Sequence, residues 1–412
     1  MIRMAAKASE NKVLNDTIFA ASGAATKAIA KYGAEAVTNA TLGAIFTEDE
    51  KLACLPAVEK VYRSMPMADI CAYAPISGLP DYLRGAANLV FADHRPEGYI
   101  DACVSPGGTG AVHLAIENYA EWGDTVLTSD WFWGPYKVLC ENVGRNLETY
   151  ELFDESLQFN IASFEAKARA LLKTQESLLI IINTPAHNPT GYSLSDEDWD
   201  GVLAVVKDVT KSGEKRVTVL VDIAYIDYAG EKNETHAFME KFGGLPENIF
   251  TLFAFSMSKG YTLYGQRCGA LVGLSSSKEV IGEFARISKY SSRAAWSNCN
   301  RAAMTTLIHI DRDQTLLAEL ESERDALYQI IRKRGEIFMQ EAEKIGLVAL
   351  PYKAGFFISV PAEDPAAVCN KLQEDNVFAV PLKKGVRIAI CGIASRKVEG
   401  LAAKVKKAWD AV

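Results

Sequence analysis

The sequence predicts an α/β fold: a mainly parallel sheet with helices on both faces, plus a smaller α+β unit. Three observations predict it. Short, near-continuous runs of Val, Ile and Leu recur through the middle of the chain. Helix-like stretches separate several of them. Beyond about Leu316 the pattern changes to one long amphipathic stretch followed by short strands.

The runs, in order, are Ala102–Val104, Thr125–Thr128, Leu178–Asn183, Val217–Asp222, Phe250–Phe255 and Cys268–Val272. Apolar runs without alternation fit strands buried on both faces, as in parallel sheets. Ala111–Trp122 follows the first run with helical spacing. Ser195–Lys211 opens on a serine and acidic residues, the signature of a capped helix start. From Leu316 to Ile345 the residues Leu316, Leu320, Leu327, Ile330, Ile331, Ile337, Phe338 and Ile345 recur mostly at helical spacing. Glu319, Arg324, Arg332, Lys333 and Glu343 occupy the other face, and Gly335 is the weak point of this helix. Strands are then expected at Phe356–Val360, Val377–Pro381 and Val386–Cys391, with helices at Ala366–Glu374 and Arg396–Ala411.

Composition bounds the function. The chain has 412 residues, 49% hydrophobic and 23% charged, which suits large buried cores and excludes a disordered or fibrous class. A net charge of −8 disfavours a nucleic-acid binder, whose affinity rests on basic surface. The eight cysteines form no C-x-x-C pair, and no two of the five histidines stand at metal-ligand spacing. Neither a zinc site nor a dithiol site is expected. The first residues lack the apolar core of a signal peptide, and no apolar run is long enough to span a membrane. A cytoplasmic protein without membrane partners is the expectation.

Four features carry the chemistry. Ser105-Pro106-Gly107-Gly108-Thr109-Gly110-Ala111 joins a strand to a helix, where free N–H groups and the helix dipole favour an anion. Alone, such a turn is as often structural, and it lacks both the Lys-Ser/Thr ending of a P-loop and the full dinucleotide pattern. In Asn183-Thr184-Pro185-Ala186-His187-Asn188-Pro189-Thr190-Gly191 two X-Pro bonds bias the chain away from helix. Asn188 can then serve as a fixed donor, while His187 reads as structural. Asp222 directly follows an apolar strand, and a carboxylate there needs a cap role or a cationic partner. Ser256-Met257-Ser258-Lys259-Gly260-Tyr261 ends another strand and is followed by Arg267. An enclosed lysine loses basicity and becomes a nucleophile towards aldehydes. An arginine beside it can grip a phosphate with two N–H groups.

In this order and at these separations the four features resemble the class I aminotransferases of the fold-type I pyridoxal-phosphate enzymes, nearest to the aspartate and aromatic group. The resemblance runs from about Leu42 to the C-terminus. It implies a seven-stranded, mainly parallel sheet. It implies an N-terminal arm and part of a small domain over 1–53, a large cofactor domain over 54–315, and a connecting helix with the C-terminal small domain over 316–412. It implies pyridoxal 5′-phosphate, with Lys259 as its Schiff-base lysine and proton carrier. Asp222 resembles the carboxylate facing the pyridine nitrogen, and Tyr225 and Asn188 the donors to the ring phenolate. Gly108, Thr109, Ser256 and Arg267 resemble the phosphate cup. Trp133 resembles the stacking ring, whereas Trp131 and Phe132 read as core.

For substrates, the resemblance implies amino acids and 2-oxo acids exchanged by a ping-pong transamination. Arg387 resembles the clamp for the α-carboxylate, and Gly43 the segment lining the substrate side, with Trp133 and Asn188 also on that side. Tyr73 resembles a tyrosine reaching the phosphate of a neighbouring subunit. Arg293 resembles an arginine reaching across to the distal carboxylate of aspartate or glutamate. A homodimer with shared sites follows. Two positions depart from the pattern: Tyr136 stands where the aspartate enzymes have a histidine, and Cys299-Asn300 replaces Pro-Pro. The expected activity is transamination of L-aspartate or L-glutamate, with aromatic amino acids as a further class. A β-lyase or decarboxylase of the same fold is the alternative. A non-catalytic cofactor-sensing regulator is disfavoured, because only about 40 residues precede the resemblance. A nucleotide-binding protein built on the glycine-rich turn would leave Lys259 and Arg387 unexplained.

Overall fold

The computed structural model describes residues 4–10, 12–14 and 16–412. Seven strands form the central sheet: β1 (Tyr99–Ser105), β2 (Thr125–Ser129), β3 (Asn146–Tyr150), β4 (Ser177–Asn183), β5 (Arg216–Asp222), β6 (Ile249–Ser256) and β7 (Gly269–Ser275). Their order is β1-β7-β6-β5-β4-β2-β3. All pairings are parallel except those of β7, which is antiparallel to both neighbours. This is the mainly parallel sheet that the apolar runs predict. β3 escapes the sequence reading because its burial alternates at the sheet edge and its residues are largely polar.

The helices that cover this sheet are α2 (Pro80–Phe91), α3 (Gly107–Tyr119), α4 (Pro135–Asn142), α5 (Ile161–Leu171), α6 (Asp196–Val209), α7 (Lys278–Ala295) and α8 (Arg301–Arg312); α1 (Thr17–Tyr32) precedes them near the N-terminus. The strand period of two assigns side chains to two cores. Leu178, Ile180 and Ile182 share one with Phe91, Phe164, Trp199 and Leu307. Leu179 and Ile181 share the other with Val112, Tyr136, Cys140 and Phe284. Ser195 caps α6 in a reciprocal box with Asp198, as its sequence predicts.

After α8 come α9 (Gln314–Lys344), β8 (Phe357–Pro361), α10 (Pro365–Glu374), β9 (Gly385–Ala389) and α11 (Leu401–Asp410). β9 pairs antiparallel with β8 and with Val380–Pro381. Ile331, Phe338 and Ala342 of α9 pack into one core with Ile358, Leu372, Ile388 and Val405, joined by Ala40 and Ile45 from the N-terminal stretch. The expected strand Val377–Pro381 is two pieces, because Val377–Phe378 pairs with Thr38–Asn39 instead. The expected helix Arg396–Ala411 is broken at Gly400, whose φ of +76° is left-handed. Arg324, read as part of the polar face of α9, is buried.

Gly335 does not weaken α9. It clears space for the Tyr352 ring, which a Cβ at this position would strike. Glycine to alanine inside a helix ordinarily stabilises by about 1 kcal/mol. Here overpacking should win, so Gly335→Ala is expected to destabilise by about 1–3 kcal/mol in chemical denaturation.

Candidate active site

Parallel sheets collect functional groups at the carboxyl ends of their strands. Here register brings three such ends side by side. Asn183 of β4 pairs with Asp222 of β5, and Asp222 with Ala254, two residues before Ser256 at the end of β6. The reversed β7 begins at the same rim, since Gly269 pairs with both Ser256 and Ser105. Gly108, Thr109, Trp133, Asn183, Asn188, Asp222, Tyr225, Ser256, Ser258, Lys259 and Arg267 line one pocket at this rim.

One end of the pocket is built for an anion. Helix α3 begins at Gly107 with no side chain capping it, so its first N–H groups are free. Arg267 donates from Nη1 to Ser258 Oγ at 3.1 Å and from Nη2 to Thr109 Oγ1 at 3.4 Å. A Cβ on Gly107 would lie 2.7 Å from Arg267 Nη2, so only glycine leaves this cradle open.

The other end holds a buried carboxylate. Tyr136 donates its hydroxyl to Asp222 Oδ2 at 2.5 Å, and the Ala224 N–H reaches Oδ1 at 3.2 Å. Burial pushes the Asp222 carboxyl up, while these two donors and the Lys259 charge pull it back. The Tyr136 ring meets Trp133 edge-on at 5.5 Å. The Tyr136 departure from the family pattern therefore still supplies a donor to Asp222.

Between the ends stand Lys259, Tyr225 and Asn188. Asn188 donates to the Tyr225 hydroxyl at 3.1 Å, and its own N–H donates to Asn183 Oδ1 at 2.7 Å. Lys259 Nζ lies 5.3 Å from the centre of the Tyr225 ring. Burial lowers the Lys259 amine to about 8; Asp222 opposes this and Arg267 adds to it. Asn183 and Ser258 are the positions that motif reading left without a role; the signal was their place at the strand ends already singled out.

Arg387 reaches the edge of this site from β9. It is 3% exposed, lies 4.4 Å over the Phe357 ring, and donates to Asn188 Oδ1 at 3.2 Å and the Thr41 carbonyl at 2.8 Å. Its Nε is buried without a hydrogen bond, and no ion pair with a carboxylate is formed among the described residues. Gly43 passes the same Phe357 ring so closely that a Cβ would come within 2.6 Å of it. His187 is buried, bonds Thr190 Oγ1 at 2.8 Å and is held neutral, its pKa lowered by burial to about 3, which suits a structural residue. Trp131 lies in the core on one face of the sheet, and Phe132 packs against the core on the other.

Within one chain Tyr73 and Arg293 do not join the pocket. Tyr73 is 87% exposed. Arg293 lies in the last turn of α7, donates to Ser297 Oγ at 2.5 Å, and lines a separate cleft of about 960 Å³ with Trp122 and Tyr290. Asn300, in the Cys299-Asn300 departure, caps α8 and donates to the Gln266 carbonyl at 3.0 Å.

A strand-end pocket with an anion cradle, a buried carboxylate and a weakened lysine defines an enzyme site for a phosphorylated cofactor. Residues 45–405 match the family described as aminotransferases of class I and II, and the chain belongs to that family. It is 37% identical to an aminotransferase from Anaerococcus prevotii whose crystal structure superposes with a TM-score of 0.97, covering 99% of this chain and 100% of that one. It is 26% identical to the mitochondrial aspartate aminotransferase of Dictyostelium discoideum, over 88% of this chain and 85% of that one. It is 26% identical to the aromatic-amino-acid aminotransferase of Escherichia coli, over 91% and 92%.

The lowered basicity of Lys259 has a measurable sign. Above about pH 8 its amine is neutral, whereas surface lysines stay charged to about 10.4. In cofactor-free protein, reductive methylation of Lys259 should rise through about pH 8, read by mass spectrometry of its peptide. A rise shared with the surface lysines would contradict the assignment.

Proposed function

We propose that this protein is a pyridoxal-phosphate-dependent aminotransferase that exchanges amino groups between L-aspartate or L-glutamate and 2-oxo acids, with aromatic amino acids as a further class. The observation that carries the reading is the convergence, in one pocket, of Lys259, the buried Asp222 and the α3–Arg267 cradle. Those residues fit the cofactor at both ends: an uncapped helix start and a guanidinium for a phosphate, and a buried carboxylate for a protonated ring nitrogen. Bound there, pyridoxal 5′-phosphate supplies an aldehyde and an electron-withdrawing ring that stabilises negative charge on the substrate α-carbon.

The chain's own residues do the rest. Gly108, Thr109, Ser256 and Arg267 hold the phosphate. Asp222, kept in place by Tyr136, favours the proton on the ring nitrogen. Tyr225 and Asn188 donate to the ring oxygen, and Trp133 covers the ring. Lys259 is the amine that reaches the aldehyde and, once free, the base that carries the α-proton. Arg387 binds the α-carboxylate, a role supported by its burial without a salt bridge to any carboxylate among the described residues, since an unpaired buried charge is costly. Gly43 lines the substrate side.

The remaining roles belong to a homodimer. Tyr73 and Arg293 of one subunit complete the site of the other, Tyr73 at the phosphate and Arg293 at the distal carboxylate. The units are 54–315 for the cofactor and 1–53 with 316–412 as the part that closes. A cytoplasmic location is supported by the eight cysteines, none of which forms a disulfide. No helix among the described residues is long and apolar enough to cross a membrane.

Incubating the holoenzyme with aspartate and 2-oxoglutarate tests the reaction. Glutamate and oxaloacetate are expected, and Lys259→Ala should abolish both. Alanine or β-alanine with carbon dioxide and no glutamate would instead indicate a decarboxylase, and ammonia released without glutamate a lyase. Arg293→Leu should lower kcat/KM for aspartate by about 2–4 kcal/mol, the cost of losing a charged hydrogen-bond partner, while sparing phenylalanine. Equal losses for both substrates would remove Arg293 from the distal site.

A further inference from the structure

The turn that carries Lys259 is gripped from behind by side chains that the proposed chemistry does not use. Met257–Gly260 is a helical turn of four residues. Its two last carbonyls are both taken by other elements. Tyr228 donates its hydroxyl to the Lys259 carbonyl at 3.3 Å, and Arg324 Nε donates to the Gly260 carbonyl at 2.5 Å. Arg324 Nη1 pairs with Asp227 at 3.2 Å, and its guanidinium lies 4.8 Å over the Tyr261 ring. Asp227 presses on the same peptide: Gly260 has no room for a Cβ, which would meet the Asp227 carboxylate. Arg324 is 7% exposed and Asp227 half-buried, so this is a partly buried pair rather than a surface one.

Arg324 belongs to α9, whose later residues Ile331, Phe338 and Ala342 pack in the core that contains Val386 and Ile388 on either side of Arg387. We propose that Arg324 and Asp227 form a positioning clamp for Lys259, fixing the backbone from which its side chain rises and tying that backbone to the helix shared with the Arg387 unit. The inference rests on the reading of Lys259 as the reacting amine. Its physical basis is reach. Proton transfer and attack on an aldehyde need the amine placed within a fraction of an ångström, and a single short turn holds few bonds of its own. Arginine suits the role because its planar fork meets a carbonyl and a carboxylate at once, which a lysine's point charge does not. The charged and titratable groups that act on the amine itself are Asp222, Arg267, Cys391 and Arg387, with the Tyr225 ring beneath it. None of them is part of the clamp.

The test uses holoenzyme variants Arg324→Met, Arg324→Lys and Asp227→Asn, with every rate expressed per lysine–cofactor adduct trapped by borohydride. The half-reaction rate with aspartate should fall about 10–100-fold in Arg324→Met, with a smaller fall in Arg324→Lys. KM should move less than about threefold, because Arg387 is untouched. The pH midpoint of the lysine–cofactor absorbance should shift by about half a unit or more, as the amine's distance from Asp222 and Arg267 changes. An adduct in the wild type, with rate and midpoint unchanged per site in Arg324→Met and Asp227→Asn, would overturn the clamp while leaving the role of Lys259 intact. Lower yield or Tm with normal per-site rates would overturn it equally, since the pair would then be merely structural. No trapped adduct in the wild type would overturn the reading of Lys259 and the clamp together.

Discussion

A carboxylate buried at the end of β5 is the constraint around which the site is built. Burying Asp222 costs several kcal/mol unless its oxygens are satisfied. The Ala224 N–H and the Tyr136 hydroxyl satisfy them from within the chain, and both require neighbours in fixed places. Tyr136 must lie on α4 against the sheet, where it also meets Trp133. Asn183 must bond the Asp222 carbonyl, at 2.7 Å, and from there it fixes the backbone of Asn188. The positions of the Trp133 ring, the Asn188 amide and the carboxylate are thus consequences of one burial problem.

The same burial reverses what the net charge implies. The chain is acidic overall, yet Lys259 and Arg387 stand in low-dielectric surroundings, with the exposed guanidinium of Arg267 at the rim beside them. Desolvation takes the amine down towards neutral pH and brings even Arg387 to about 10. Global charge reports the solvated surface, whereas chemistry follows the few cations that the fold removes from water.

Much of this was legible in the sequence. The strands β4, β5 and β6 could be read because continuous apolar runs end in single polar residues, and those residues became the site. β3 could not, since an edge strand buries only alternate side chains and resembles a loop. Arg324 could not either. A charged residue at a polar helical position reads as solvated, and only tertiary contact with the Gly260 carbonyl shows otherwise. The break at Gly400 was missed because the apolar pattern of Val398, Leu401, Ala402 and Val405 continues across it. The expectations for Tyr73 and Arg293 rest on family resemblance alone, because nothing among the described residues of one chain brings them to the pocket.

The direction of β7 has a geometric meaning of its own. Arg267 precedes that strand, whereas Asn183, Asp222 and Ser256 all conclude theirs. Had the seven residues of β7 run with the rest of the sheet, its start would lie about 23 Å away at the opposite rim. Reversing one strand delivers the opening of a segment to the place where the others finish. A parallel sheet can in this way draw on both ends of its chain segments for one ligand, and the guanidinium arrives beside the helix start without any long loop to carry it.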